Sequence, residues 1–157
     1  KVIPHRPPKL LVDGITDLEE MAVEGFRDVR SEDCEGNMGV LSGGDMYEMA
    51  AQITAHCLLS LERFKGFYAV PKQFKVKTLR PVFPGDHLVL RVKILSIKGS
   101  RGYAKGGGYV EDRLVFEASG GFRVIRPEVL DAIKREKEMA RAAEGRLDYE
   151  ARFIKES

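Results

Sequence analysis

The sequence predicts an α+β fold, one buried helix followed by a meander of long antiparallel strands, and three observations carry that reading. A single helical run, Gly44 to Arg63, has apolar residues on nearly every side: Met46, Met49, Ala50, Ile53, Ala55, Cys57, Leu58 and Leu61. A helix that is apolar all round is a core helix. After it the period changes from helical to alternating, most clearly in "HLVLRVKILSI", where Leu88, Leu90, Val92 and Ile94 share one face. Short turn signals join these segments, which selects antiparallel pairing over helical crossovers.

Taken in order, "KLLVDGITDLEEMAVEGFRDV" reads as two strands around an acidic turn near Asp17 to Glu20. Ser31 to Gly43 is Gly-rich and polar without periodicity, a loop. The buried helix follows. "FYAVPKQFKVKTL" is strand-like, Pro84-Gly85-Asp86 breaks the chain, and "HLVLRVKILSI" is a strand buried mainly on one face. "KGSRG" is a hairpin connection, "YAKGGGYVE" a strand loosened by glycine, Asp112-Arg113 a tight turn and "RLVFEASGGFRVI" the last strand. From Pro127 the pattern is helical again and heavily charged, with proline in the first turn. The expected division is one domain over residues 1–126 and a charged helical extension over residues 127–157.

At 157 residues the chain is long enough to bury a core without disulfides. A net charge of +2 does not argue for nucleic acid as a partner. Cys34 and Cys57 have no metal-like spacing and read as reduced thiols of a cytosolic compartment. No apolar run approaches the roughly 20 residues that span a bilayer, and the opening shows no signal-peptide pattern. The expectations are a cytoplasmic protein with no metal, no cofactor, no nucleic acid and no membrane among its partners.

Three segments in order resemble one family. "IPHRPPKLLVDGI" is similar to the Leu-Pro-His-Arg-x-Pro-x-Leu-Leu-Val-Asp opening of 3-hydroxyacyl-acyl-carrier-protein dehydratases of the fatty-acid-synthesis type. "VLSGGDMYEMAAQ" resembles that family's Ile-Met-Pro-Gly-Val-Leu-x-x-Glu-Ala-x-Ala-Gln segment, with Gly43, Glu48, Ala51 and Gln52 in step. "KVKTLRPVFPGDHL" resembles its Lys-x-Arg-Phe-x-Arg-Pro-Val-x-Pro-Gly-Asp-x-Leu segment through Lys75, Arg80, Pro81, Val82, Pro84, Gly85 and Asp86. The likeness covers Ile3 to Ile125. It implies a hotdog fold, a long antiparallel sheet wrapped around a central helix, dimeric, with active sites at the dimer interface.

By the same resemblance Glu48 is the acid–base residue, facing an acyl tunnel with Met46, Met49 and Ala50 around it, and Gln52, one turn on, hydrogen-bonds the carboxylate or the thioester. Gly43 and Gly44 at the helix mouth let backbone N–H groups approach a thioester carbonyl, and Arg80 completes the substrate-binding set. The family's partner in catalysis is a loop histidine. Here "RSEDCEGNMGVLS" has none, and Cys34 falls at its position in a shorter loop. A thiol near its ordinary pKa of about 8.5 is a weak base at neutral pH, so Cys34 is the catalytic candidate by position and is expected to be dispensable. His5 is expected to pin the N-terminal turn, His56 to pack in the core or an interface, and His87 to be solvated. Asp45 in the first helical turn favours the helix dipole. Lysines of "PKQFKVKTLR", with Arg101 and Lys105, form either a solvated strand face or a basic rim that steers an acidic carrier protein.

Three functions stay open. The chain is a dehydratase acting on 3-hydroxyacyl thioesters of acyl carrier protein or CoA; or a hotdog thioesterase using Glu48; or a non-catalytic acyl-binding subunit paired with a catalytic homologue. The expected assembly is a homodimer or an oligomer of dimers.

Overall fold

The computed structural model describes residues 10–156 of the chain, and the side chains of residues 10–146. The chain divides into two compact units, Lys1–Val124 and Ile125–Ser157. His5 and the opening Ile3 to Pro8 lie outside the described residues.

The elements before the last helix are β1 (Gly14–Glu19), β2 (Ala22–Asp28), a 3-10 turn (Ser31–Cys34), α1 (Gly43–Leu59), a second 3-10 turn (Glu62–Phe64), β3 (Tyr68–Thr78), β4 (His87–Lys98), β5 (Arg101–Val110) and β6 (Arg113–Ile125). The strands form one six-stranded sheet in the order β1-β2-β4-β5-β6-β3. β1–β2, β2–β4, β4–β5 and β5–β6 are antiparallel. Along β4 the alternation is realised: Leu88, Leu90, Val92 and Ile94 are buried under α1 while Arg91 and Lys93 face out. In β5 a Cβ at Gly106 would overlap the Arg91 carbonyl oxygen and one at Gly108 the Phe116 ring, so these glycines let three strands and a buried aromatic close up.

The sheet covers α1, the arrangement the resemblance implies. Ser42 caps the helix, its Oγ accepting the Asp45 N–H at 3.1 Å, and Asp45 sits in the first turn. Met46, Met49, Ile53, Cys57 and Leu58 are fully buried, and a fully buried aliphatic side chain contributes about 1.5–3 kcal/mol. The helix ends at Leu59, four residues short of the expected Arg63. Ser60 caps it, its Oγ donating to the His56 carbonyl at 2.6 Å. Leu61 then turns extended, and the 3-10 turn lets Leu61 and Phe64 both bury in a second cluster with Ala55, Leu59 and Val124. The last hairpin turns on Glu111 and Asp112, both left-handed with φ of 50° and 63°, and Arg113 already belongs to β6.

In the second unit α2 spans Pro127–Glu156, with Val129, Ile133 and Met139 exposed. Among the described residues no helix is long and apolar enough to cross a membrane.

Candidate active site

The carboxylate on the core helix has a local answer. Glu48 and Gln52 stand four residues apart on one face of α1. Gln52 is 1% exposed, and its Nε2 donates to Glu48 Oε1 at 3.0 Å. The Leu11 N–H donates to Gln52 Oε1 at 2.8 Å. Glu48 itself is half-buried. Buried amides need partners, and this one has a donor on its oxygen and a carboxylate on its nitrogen.

A second group of predicted residues meets at the helix mouth. Gly43 and Arg80 line a cleft of about 320 Å³ together with Met46, Thr78, Leu79 and Pro81. The Leu41 N–H donates to the Val82 carbonyl at 2.8 Å, and the Leu79 and Arg80 amides donate to the Val115 carbonyl, which sets the β3–β4 connection beside the helix. A Cβ at Gly43 would meet only Thr78 Cγ2, at 3.5 Å, and one at Gly44 only Ser42 Oγ, at 3.8 Å. The fold thus has room for side chains at both positions. Both are exposed, and the first amides of a helix have no intrahelical acceptor. From Gly43 to Glu48 is about 7.5 Å along the helix axis, at 1.5 Å per residue. Met49 and Ala50, expected to line an acyl site, pack in the core.

Cys34 is not among the residues that line this cleft, though its carbonyl accepts the N–H of Asn37, which is. It is 1% exposed within the core cluster, and burial, followed by the carboxylates of Asp33, Asp45 and Asp86, pushes its thiol up. An ion cluster holds its turn. Arg27, 8% exposed, donates from Nη2 to Asp33 Oδ1 at 2.6 Å, from Nε to Asp33 Oδ2 at 3.1 Å and from Nη1 to Asp13 Oδ1 at 3.2 Å. Arg30 adds Nη2 to Asp13 Oδ1 at 2.9 Å and its N–H to Asp33 Oδ2 at 3.0 Å. Burial alone would push the Asp33 carboxyl up, but the hydrogen bonds from Arg27 and the Arg30 amide, with both guanidinium charges, outweigh it and hold the carboxyl below its ordinary value.

This lowering has a sign. Asp33 stabilises the fold fully above its unfolded pKa of about 3.9, and the contribution is lost as pH falls through the lowered folded value. Urea midpoints of wild type and Asp33→Asn should therefore differ by a constant amount from pH 5 to 7 and converge below about pH 4. A gap that widened on acidification would contradict the cluster.

The remaining histidines are placed as follows. His56 is half-buried on α1, and burial lowers its pKa. His87 is exposed but not simply solvated: its Nδ1 lies 2.7 Å from Asp28 Oδ1 and its ring 5.2 Å from that of Phe26. Lys72, Lys75 and Lys77 on β3, and Arg101 and Lys105 on β5, are exposed. Among the described residues no group of three or more His, Cys, Asp or Glu could hold a metal ion. Thr78, the Leu11 amide and the Arg27–Asp13–Asp33 cluster are additions from the structure; Asp13 stands within "LLVD", a quoted motif, but a backbone donor carries no mark in a sequence.

No family model matches the chain. It is 38% identical over 125 residues to the 3-hydroxyacyl-(acyl-carrier-protein) dehydratase FabZ of Clostridium botulinum (strain Loch Maree / Type A3), covering 75% of this chain and 87% of the relative. With that of Clostridium kluyveri it is 37% identical over 130 residues, covering 78% and 90%. Among solved structures, a Streptococcus mutans protein bound to acetyl CoA superposes with a TM-score of 0.67 at 18% identity, covering 80% of this chain and 99% of that one. Thioesterase superfamily member 2 of Mus musculus gives a TM-score of 0.63 at 15% identity, covering 72% and 81%. These likenesses show the hotdog fold, while the sequence relatives go further: with a helix-borne Glu48 oriented by Gln52 and an open helix mouth beside Arg80, the chain belongs to the 3-hydroxyacyl-acyl-carrier-protein dehydratase family, as a hotdog-fold acyl-thioester dehydratase-like protein.

Proposed function

We propose that the protein dehydrates 3-hydroxyacyl thioesters in acyl-chain metabolism, with Glu48 as the acid–base group. The observation that carries this is the Leu11–Gln52–Glu48 hydrogen-bond chain, which ties one oxygen of a half-buried carboxylate on the same helix as an exposed pair of N-terminal amides. The thioester carbonyl accepts from the Gly43 and Gly44 amides, whose dipole stabilises the enolate that forms when the C2 proton leaves. The Glu48 carboxylate takes that proton and, as carboxylic acid, returns it to the departing 3-hydroxyl. Water leaves, C2 and C3 become doubly bonded, and Glu48 is again ionised. Cys34 takes a structural place. Its buried thiol is poorly ionised at neutral pH, so Cys34→Ala should leave turnover within a few-fold, and a loss of a thousandfold would make it the partner of Glu48.

The carrier is an acyl carrier protein or CoA, with Arg80 and the β3 lysines as its basic rim. β3 is an eleven-residue edge strand. Such an edge invites a partner strand, and the proposed assembly is a homodimer, or an oligomer of dimers, in the cytoplasm. The direct test supplies the purified chain with a 3-hydroxyacyl thioester and follows the conjugated enoyl product. Hydrolysis is the second reading, favoured by the lack of any histidine between Val29 and Gly43; it predicts free thiol and no enoyl absorbance. Binding without either product would leave the non-catalytic subunit.

A further inference from the structure

We propose that Asp13 is a positioning residue for Glu48, acting through the Leu11 backbone and the Gln52 side chain; this rests on the reading of Glu48 as the acid–base group. A glutamine amide has two nearly isosteric orientations, and only one presents a donor to a carboxylate. The Leu11 N–H and the Glu48 carboxylate select the same orientation, because a backbone amide can only donate and a carboxylate only accept. With its oxygen held by Leu11 at 2.8 Å, Gln52 must turn its NH₂ to Glu48, which it meets at 3.0 Å. If the Leu11 amide moved away, Gln52 Oε1 would lose this donor and the side chain would be held less firmly against Glu48.

What holds Leu11 in place is therefore part of what holds Gln52 against Glu48. Residues 10–13 belong to no helix or strand, so no ladder fixes them. Two residues after Leu11, Asp13 does so from four directions. Its N–H donates to the Phe26 carbonyl at 2.8 Å. Its Oδ1 accepts from Arg27 Nη1 at 3.2 Å and Arg30 Nη2 at 2.9 Å, and its Oδ2 accepts the Asp28 N–H at 2.7 Å. Two residues of extended chain reach at most about 7 Å, so little slack separates the anchor from the amide it places. Arg27 is itself locked by its double hydrogen bond to Asp33. The connection thus runs from a charged cluster on β2 and the 3-10 turn to the carboxylate on α1, with every link a hydrogen bond or a short stretch of backbone.

Asp13→Asn tests this, since it keeps the shape but cannot accept from all three donors. The readouts are Leu11 amide hydrogen exchange, the Gln52 side-chain amide resonances and steady-state kinetics on the full chain. Expected are Leu11 exchange faster by roughly tenfold or more, Gln52 amide protons shifted toward their solvent positions, Leu90 and Val92 exchange unchanged, and kcat down roughly tenfold with KM within about twofold. Arg30→Gln removes one of the donors from a half-exposed side chain, and should give the same pattern in smaller measure if Asp13→Asn folds poorly. Unchanged Leu11 exchange or unchanged Gln52 resonances in a folded variant overturn the proposal, as does full kcat with Leu11 loosened. If the wild type turns nothing over, the reading of Glu48 fails separately, and the exchange and resonance arms still decide whether Asp13 orients Gln52 on Glu48.

Discussion

Glu48→Gln is expected to lower turnover of an acyl thioester by about 10²–10⁴-fold, equivalent to roughly 3 to 5 kcal/mol of barrier. The substitution isolates the chemistry because so little else changes. Glutamine has the size of glutamate, and its carbonyl oxygen still accepts from Gln52 Nε2, which the Leu11 amide keeps turned that way. The melting temperature should therefore stay within about 2 °C, since no large core contact is lost. What disappears is the capacity to hold and return a proton beside the open helix mouth. Enoyl formation and thiol release, measured side by side, assign the loss to dehydration or to hydrolysis. Intact activity in the variant would remove Glu48 from the chemistry.

The largest stability effect is expected at Arg27. Arg27→Ala leaves the half-buried Asp33 with two of its hydrogen bonds gone and takes a guanidinium from Asp13. Breaking one side of a buried ion pair costs about 3–5 kcal/mol and of an exposed one about 0–1 kcal/mol, so with a half-buried carboxylate left behind the expected loss is about 2–3 kcal/mol. For a chain of this size that lowers the melting temperature by about 10 °C. The double variant Arg27→Met with Asp33→Asn removes both charges and should cost less than the sum of the single substitutions. Urea unfolding at pH 7 measures all of these. A cost below about 1 kcal/mol for Arg27→Ala would mean that the cluster behaves as an exposed pair does.

Periodicity made the centre of the fold legible. Asp45 marked the first turn of α1, and the alternation from Leu88 to Ile94 marked which face of β4 is buried, whereas the Ser42 cap emerged only from the structure. The helix end was not legible, because Leu61 and Phe64 continue an apolar pattern at helical spacing while serving a different cluster through a 3-10 turn. Strand order was also beyond local pattern: nothing within residues 68–78 says that β3 pairs with β6 rather than with β4, its neighbour in the chain. At the candidate site, two separate motifs supplied Gly43 and Arg80 to one expected substrate-binding set, and the two residues line one cleft. The Leu11–Gln52 bond had no such signal, because one of its partners is a main-chain group. Cys34 shows the limit of polar context, for "EDCEG" reads as surface and the thiol is in the core.

The placement of β3 beside β6 bears on how the protein is born. Helix α1 ends at Leu59 and β6 at Ile125, about 66 residues later, which at 5–20 residues per second is about 3–13 s of translation. Through that interval the helix, apolar on nearly all sides, waits for the last strand before its sheet can close, and β3 waits with an unpaired edge. Contacts so distant in sequence form slowly. The nascent chain is thus most exposed to aggregation between the emergence of β3 and that of β6.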